Sequence, residues 1–465
     1  MKVRTEPRTP SQRSVEGTSV MQKLTKLCVN MVEKVMPDPF VIAVLLTIVT
    51  IALAFLYAPK NSVSIVLDGW FKGAFDITSF AFLIAFTLIT GHALTTAKPV
   101  ARMLRWMASL PKTELGAMAL AFYISLVAGY LNWACGLVIS ALFAREVAKR
   151  VRVDFGWLLA AAYSGWSFFA LGISSSVALV SATKGEPLNI IEKVTGSVVP
   201  MRDYLLSPLN WLPIVILSVA IPILFWAMKP EKNDVIPADA EKLKCEDSIE
   251  LKGHIATTLA AKLNNSWLIT ILMSAIGVGY IINSLLDGTF KLDLKLLVII
   301  FFLLGLLLHW RPESYINAIE KAARISGPII LQFPLYGGIM GVMTATGLAT
   351  MMAQNMLAFS TPDTLSFWTF ISSIVISLFI PSAGGHWAVQ APFVVEAAAH
   401  LGVSQSAIAI AVALGEGAAD LIQPMWLIPL LSIAGISLSR VMGYTIITFL
   451  LMVVVMSGVL LLVPH

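Results

Sequence analysis

The chain has 465 residues, 57% of them hydrophobic and 13% charged, with a net charge of +5. Soluble domains average about 45–50% apolar and about 25% charged, so neither a soluble globular enzyme nor a disordered chain fits. Continuous apolar runs of about 20 residues recur without alternation, which excludes a β-barrel and predicts an all-α polytopic membrane protein. Its basic excess needs no nucleic acid, since a positive-inside bias accounts for it.

Residues 1–38 are polar and lack the short apolar core and cleavage site of a secretory signal. Spans are predicted at about 39–58, 77–96, 156–180, 208–228, 266–285, 294–309, 327–357, 405–433 and 442–463. Residues 115–148 and 364–400 differ. Each is too long for one span and carries a polar, Gly-containing break at its middle, Asn132–Gly136 in the first and Pro381–Trp387 in the second. Both are expected to be re-entrant hairpins, because irregular backbone at membrane depth must be buried in protein or line a wet cavity. With the N-terminus cytoplasmic, 25 of the 32 Lys and Arg fall in cytoplasmic segments and none is left in the membrane interior. That bias supports this orientation, with the C-terminus external.

The order of elements repeats. Leu94-Thr95-Thr96 precedes Asn132-Trp133 much as Leu348-Ala349-Thr350 precedes His386-Trp387, and each hairpin is followed by an interrupted helix. An odd number of crossings between the copies predicts inverted repeats. The expected organisation is a cytoplasmic segment 1–38, a first repeat 39–228, a cytoplasmic linker with a connecting helix 229–285, and a second, inverted repeat 286–465.

Transporters built this way bind substrate where discontinuous helices meet near the midplane. Free helix N-termini there suit an anion, and unwound carbonyls suit a cation. At the first tip, Asn132 and Trp133 are candidate substrate contacts. In the first interrupted helix, Ser164, Gly165 and Ser167, then Ser175, offer hydroxyls and close backbone approach; serines also serve plain helix packing. At the second tip, Ser382, Gly384, Gly385, His386 and Gln390 could hold a carboxylate, and His386 could carry a proton. In the second interrupted helix, Glu416 and Asp420 are four residues apart and share a face, flanked by Gly415 and Gly417. They are the only acids inside a predicted span. Intramembrane carboxylates are costly and functional by default, so these four residues are the candidate coupling-ion site, with Na+ the metal if the ion is not H+. No other cofactor is expected. There is no His-Glu-x-x-His, Gly-x-Ser-x-Gly or P-loop motif, the six histidines do not cluster, and the three cysteines share no close spacing.

Met36-Pro37-Asp38-Pro39-Phe40, Leu131-Asn132-Trp133 and the run Pro381-Ser382-Ala383-Gly384-Gly385-His386-Trp387-Ala388-Val389-Gln390 carry a family resemblance over nearly the whole chain after residue 20. The sequence resembles the bacterial short-chain fatty acid transporters of the acetoacetate and butyrate uptake type, within the ion transporter superfamily. The resemblance implies uptake of a small monocarboxylate driven by an H+ or Na+ gradient across the bacterial inner membrane. It also implies an elevator-type motion and often a homodimer. Family members tend to carry Gly at the Ala383 position and Gln at the His386 position, so a proton role for His386 is not one the family implies. The alternatives are a transporter of another small anion, such as a dicarboxylate or amino acid derivative, a membrane enzyme acting on acyl or lipid groups, and a passive channel.

Overall fold

A computed structural model describes residues 20–35, 37–186, 188–231, 234–238, 258–288, 294–381 and 383–463. Its regular elements are helical throughout the described residues. The first half runs α1 Val20–Val35, α2 Pro39–Tyr57, α3 Val63–Asp76, α4 Thr78–Thr96, α5 Lys98–Met107, α6 Glu114–Leu131, α7 Trp133–Ala148 and α8 Phe155–Trp166. A 3-10 turn Ser167–Leu171 then leads to α9 Ser176–Ala182, the short α10 Ile190–Thr195 and α11 Met201–Leu205, and α12 Pro208–Ala227. The second half runs α13 Leu259–Asn264, α14 Trp267–Leu286, α15 Leu294–His309, α16 Pro312–Ala323, α17 Gly327–Ala345, α18 Leu348–Leu357, α19 Leu365–Phe379, α20 Ala383–Leu401, α21 Gln405–Ala419, α22 Pro424–Ala434 and α23 Leu438–Leu462.

Local chemistry sets many of these ends. Asp38 caps α2 by accepting from the Phe40 amide, with Pro39 in the first turn, where a missing N–H costs nothing. Asp154 caps α8 at Trp157, and Thr113 caps α6 at Gly116. The single span expected at 327–357 is instead two helices, because Gly347 takes a left-handed φ of 73° between α17 and α18. Seven helices are long and apolar enough to cross a bilayer among the described residues, and eight if the bent pair α21–α22 counts as one span. One of the seven is α6, the first arm of the first predicted hairpin. Another joins α3 to α4, so the second span begins well before the expected residue 77.

Lipid tails are as apolar as leucine, so helices in a membrane are held by close packing and interhelical hydrogen bonds rather than by apolar burial. The α3–α17 crossing is the tightest case. A Cβ on Gly341 would lie 2.0 Å from the Gly69 carbonyl oxygen, and one on Gly73 would lie 2.2 Å from that of Gly337. Two small residues four apart on each helix thus bring the backbones into contact.

Both hairpins form, with shorter breaks than the sequence suggests. A Cβ on Gly136 would lie 2.4 Å from the Gly129 Cα, so α7 folds straight back along α6. The break is Asn132 alone, in extended conformation, and Gly136 is helical. In the second hairpin the described gap between α19 and α20 begins at Ile380. Gly384, Gly385, His386 and Trp387 already belong to α20. The interrupted helices are also broken later than expected. The first is regular through Ser164 and Gly165 and breaks at Gly172–Ser175. The second is regular through Gly415, Glu416 and Gly417 and breaks at Asp420–Gln423, with a bend of 49°. The halves then correspond in order: α4–α5 with α17–α18, α6–α7 with α19–α20, and the broken α8–α9 with α21–α22.

Candidate functional site

Each hairpin tip is bonded to the broken helix that follows it. At the first tip, Ile173 N–H donates to the Tyr130 carbonyl at 3.1 Å, and Trp133 N–H donates to Ser174 Oγ at 3.0 Å. At the second, Gln423 Nε2 donates to the Leu378 carbonyl at 2.8 Å. An indole clasps each tip as well. Trp166 Nε1 donates to the Trp133 carbonyl at 2.7 Å, and Trp426 Nε1 donates to the Pro381 carbonyl at 2.9 Å. The rings of Trp133 and Trp166 then meet that of Trp426, at 5.4 and 5.9 Å between centroids. All four discontinuities therefore converge on one point, with Trp426 between them.

Asp420 lies at this junction. Its main-chain carbonyl accepts a 2.6 Å hydrogen bond from Tyr163 Oη of α8. Its carboxylate is fully buried, and neither oxygen has a hydrogen-bond partner. Glu416, one turn earlier, is 3% exposed. Burying a carboxylate without a donor costs several kcal/mol, roughly, unless a cation or proton joins it. Among the described residues no three His, Cys, Asp or Glu side chains group as metal ligands. A metal cation here would draw on backbone carbonyls beside the two acids. The two flanking glycines act as packing contacts. A Cβ on Gly415 would lie 2.4 Å from Ser373 Cβ, and one on Gly417 would lie 2.8 Å from Ala170 Cβ.

His386 and Gln390 form a separate group between α19, α20 and α21. Gln390 Nε2 donates to the Thr369 carbonyl and to Ser372 Oγ, which turns its Oε1 toward His386 Nε2 at 2.6 Å. Ser373 Oγ donates to the Val412 carbonyl, leaving its lone pair toward the same nitrogen at 3.3 Å. This network assigns the proton of neutral His386 to Nε2. Nδ1 is then a buried acceptor without a partner. In that state His386 has no N–H left for a carboxylate.

The remaining candidates are placed as follows. Asn132 is buried, and its carbonyl accepts the Gly136 amide at the start of α7. Ser164 Oγ donates to Ala160 O, and Ser167 Oγ to Ser164 O, so both hydroxyls are satisfied within their own helix. Gly165 lets α8 cross α6, since a Cβ there would lie 2.3 Å from the Phe122 carbonyl oxygen. Ser175 caps α9 and lies 3.4 Å from Tyr204 Oη. Gly384 and Gly385 are half-buried in the first turn of α20, and Ser382 lies outside the described residues. Arg145, which falls at the end of the predicted hairpin 115–148, is buried and donates to the Ile433 carbonyl at the end of α22, at 2.8 Å. A cation at a helix C-terminus is favourable there.

Sequence reasoning missed Tyr163, Trp426 and the hydroxyls of α19, and gave no role to the Trp166 indole. Within 366–377 the last had a usable signal, a Ser/Thr spacing that follows one helix face. The tryptophans looked like ordinary membrane aromatics.

Residues 20–463 match the family described as "Short chain fatty acid transporter". A protein of Escherichia coli (strain K12) is 34% identical over 425 residues, covering 91% of this chain and 96% of that one. One of Haemophilus influenzae (strain ATCC 51907 / DSM 11121 / KW20 / Rd) is 31% identical over 429 residues, with the same coverage. Both are named "Putative short-chain fatty acid transporter". The crystal structure of the Alcanivorax borkumensis YdaH transporter, described as having an unusual topology, resembles this one with a TM-score of 0.43 and 13% identity. That match covers 91% of this chain and 98% of the other. The chain is a multi-pass membrane protein and belongs to the short-chain fatty acid transporter family.

Proposed function

We infer that this protein is a secondary active transporter that takes up small monocarboxylates, such as butyrate or acetoacetate, together with H+ or Na+. The observation that carries the coupling is the buried pair Glu416 and Asp420 at the break between α21 and α22, with both Asp420 oxygens unpartnered. A carboxylate that must alternate between a loaded and an empty state suits an environment where no protein cation neutralises it permanently. The monocarboxylate preference follows the family, and the setting agrees with it. Trp133 and Trp426 supply apolar surface at the junction, and the half-buried first turn of α20 has amide N–H groups without intrahelical partners for one carboxylate.

The two corresponding halves are inverted repeats in this reading, with the N-terminus cytoplasmic and the protein in the bacterial inner membrane as a homodimer. The first hairpin opens to the cytoplasm and the second to the outside.

The test is uptake of labelled butyrate and acetoacetate into proteoliposomes, with pH and Na+ gradients imposed separately. Protein-free vesicles run in parallel, because the neutral acids cross bilayers unaided. Saturable, concentrative uptake under one gradient supports the assignment and identifies the ion. Folded, inserted protein that accumulates neither substrate under either gradient removes it.

A further inference from the structure

Helix α19 carries Ser366, Thr369, Ser373 and Ser377 at spacings of three, four and four residues, which places all four on one face. All four are fully buried. Ser373 Oγ is bonded to the Val412 carbonyl, whereas Ser366 Oγ, Thr369 Oγ1 and Ser377 Oγ have no hydrogen-bond partner. His386 Nδ1, on the facing helix α20, is a further unpartnered buried acceptor. Unpaired buried polar atoms cost about 1–3 kcal/mol each, so several on one face are not a packing solution. They would be satisfied by a transient chain of water or by a passing proton.

The direction of the stripe is informative. Thr361, Pro362 and Asp363, just before α19, are exposed. At the far end, Gln423 Nε2 is 3.4 Å from the Ser377 carbonyl, and Gln423 shares its break with Asp420. From Ser366 to Ser377 the helix rises about 16 Å, roughly half of a bilayer core of about 30 Å. The stripe therefore runs from just inside an exposed loop to the helix break that carries the unpartnered carboxylate.

We propose that the coupling ion is a proton, and that it reaches Asp420 along the Ser366–Thr369–Ser373–Ser377 face of α19, with His386 Nδ1 as an acceptor on the way. This rests on the reading of Glu416 and Asp420 as the coupling site. Each relay oxygen takes one proton and releases its own toward the next group, so nothing changes along the path and the Asp420 carboxylate ends as the neutral acid. Among the described residues, Glu416 on α21 and Tyr163 on α8 face the terminus, Tyr204 on α11 lies near Glu416, and His386 on α20 touches Ser373 of the path. No lysine or arginine is among them. In the inferred orientation this hairpin opens outward, the side from which an uptake symporter loads its proton.

The experiment compares two assays of acetoacetate in proteoliposomes. Exchange of labelled for unlabelled substrate at equal pH needs no proton release. Concentrative uptake under an inside-alkaline pH gradient does. Thr369→Val removes the hydroxyl at nearly constant shape and leaves the main-chain carbonyl that holds Gln390. It is expected to slow driven uptake by about tenfold, the scale of one hydrogen bond missing from the transient relay, while exchange stays within about twofold. Thr369→Ser is expected to restore driven uptake. Unchanged driven uptake in Thr369→Val overturns the path. So does equal loss of exchange and driven uptake, or a wild type driven by Na+ and indifferent to pH. Asp420→Asn separates the two levels. If it keeps pH-driven uptake, the coupling site and the path fall together. If it loses driven uptake and Thr369→Val does not, the path alone falls.

Discussion

Tyr163 of α8 donates its phenol proton to the main-chain carbonyl of Asp420 at 2.6 Å, joining the two interrupted helices 257 residues apart in sequence. A carbonyl at a helix break has lost its i+4 partner; here the Gln423 N–H reaches it at 3.3 Å, and the Tyr163 phenol adds a shorter bond. Tyr163→Phe removes the shorter of the two donors to this carbonyl and leaves it only the Gln423 N–H at 3.3 Å. Stability should fall by about 1–2 kcal/mol, read as a lower melting temperature in detergent. Uptake should fall with it, because the Asp420 carboxylate loses its positioning. A variant that melts and transports like the wild type would show that this bond positions nothing.

Glu416→Gln keeps the shape of the side chain and removes its charge. Insertion and folding should survive, since a buried neutral amide costs less than a buried carboxylate. Concentrative uptake should be lost or become independent of the gradient. Size-exclusion profile and driven uptake, measured on the same preparation, separate these effects. Full gradient-driven activity in this variant would remove Glu416 from the coupling site.

Glycine positions divide sharply by backbone contact. At Gly341 a Cβ would meet the Gly69 carbonyl at 2.0 Å, whereas at Gly279 on α14 no atom lies within 4 Å. Gly341→Leu must force α3 and α17 apart and should cost more than about 3 kcal/mol, seen as loss of the monodisperse protein. Gly279→Leu should be tolerated, with yield and melting temperature unchanged.

Helix α1 packs on α23, where a Cβ on Gly443 would lie 2.6 Å from Val29 Cγ2. Lys26 also bonds Asp234 at 2.7 Å, but the two side chains are 59% and 40% exposed. That hydrogen bond holds the Lys26 ammonium above the ordinary lysine value of 10.5. The stabilisation is therefore fully present below 10.5 and is lost only as the pH rises past the raised value. Screening makes it small in any case. Lys26→Ala should leave the melting temperature nearly unchanged at neutral pH, whereas Gly443→Leu should release α1, read as new protease cleavage within residues 20–35.

Much of the architecture was legible because membrane helices announce themselves by length and apolarity, and because Asn132 and Pro381 interrupt such runs. The details that failed share one cause. A glycine or serine in an apolar run has two physical uses, and sequence does not separate them. Gly136, Gly165 and Gly415 were read with breaks, but their helices are regular there and the missing Cβ admits a neighbour. Ser164 and Ser167 were read as ligands, yet serine in a helix can satisfy itself on the preceding turn, and both do. Glu416 and Asp420 are less ambiguous, since a carboxylate in an apolar run has no cheap structural use and its function is the default proposal. The tip-to-break bonds depend on tertiary placement that no local pattern encodes.

The indole of Trp426 has a mechanical consequence. It is bonded to one tip through Pro381 and meets the other edge-to-face through Trp133. Swinging either tip open alone would tear a hydrogen bond or peel apart two aromatic rings inside the protein. Carrying both tips and both broken helices together would disturb neither. A stroke of that kind would leave this junction internally unchanged and would place the sliding seam elsewhere, along helix surfaces that exchange one apolar neighbour for another.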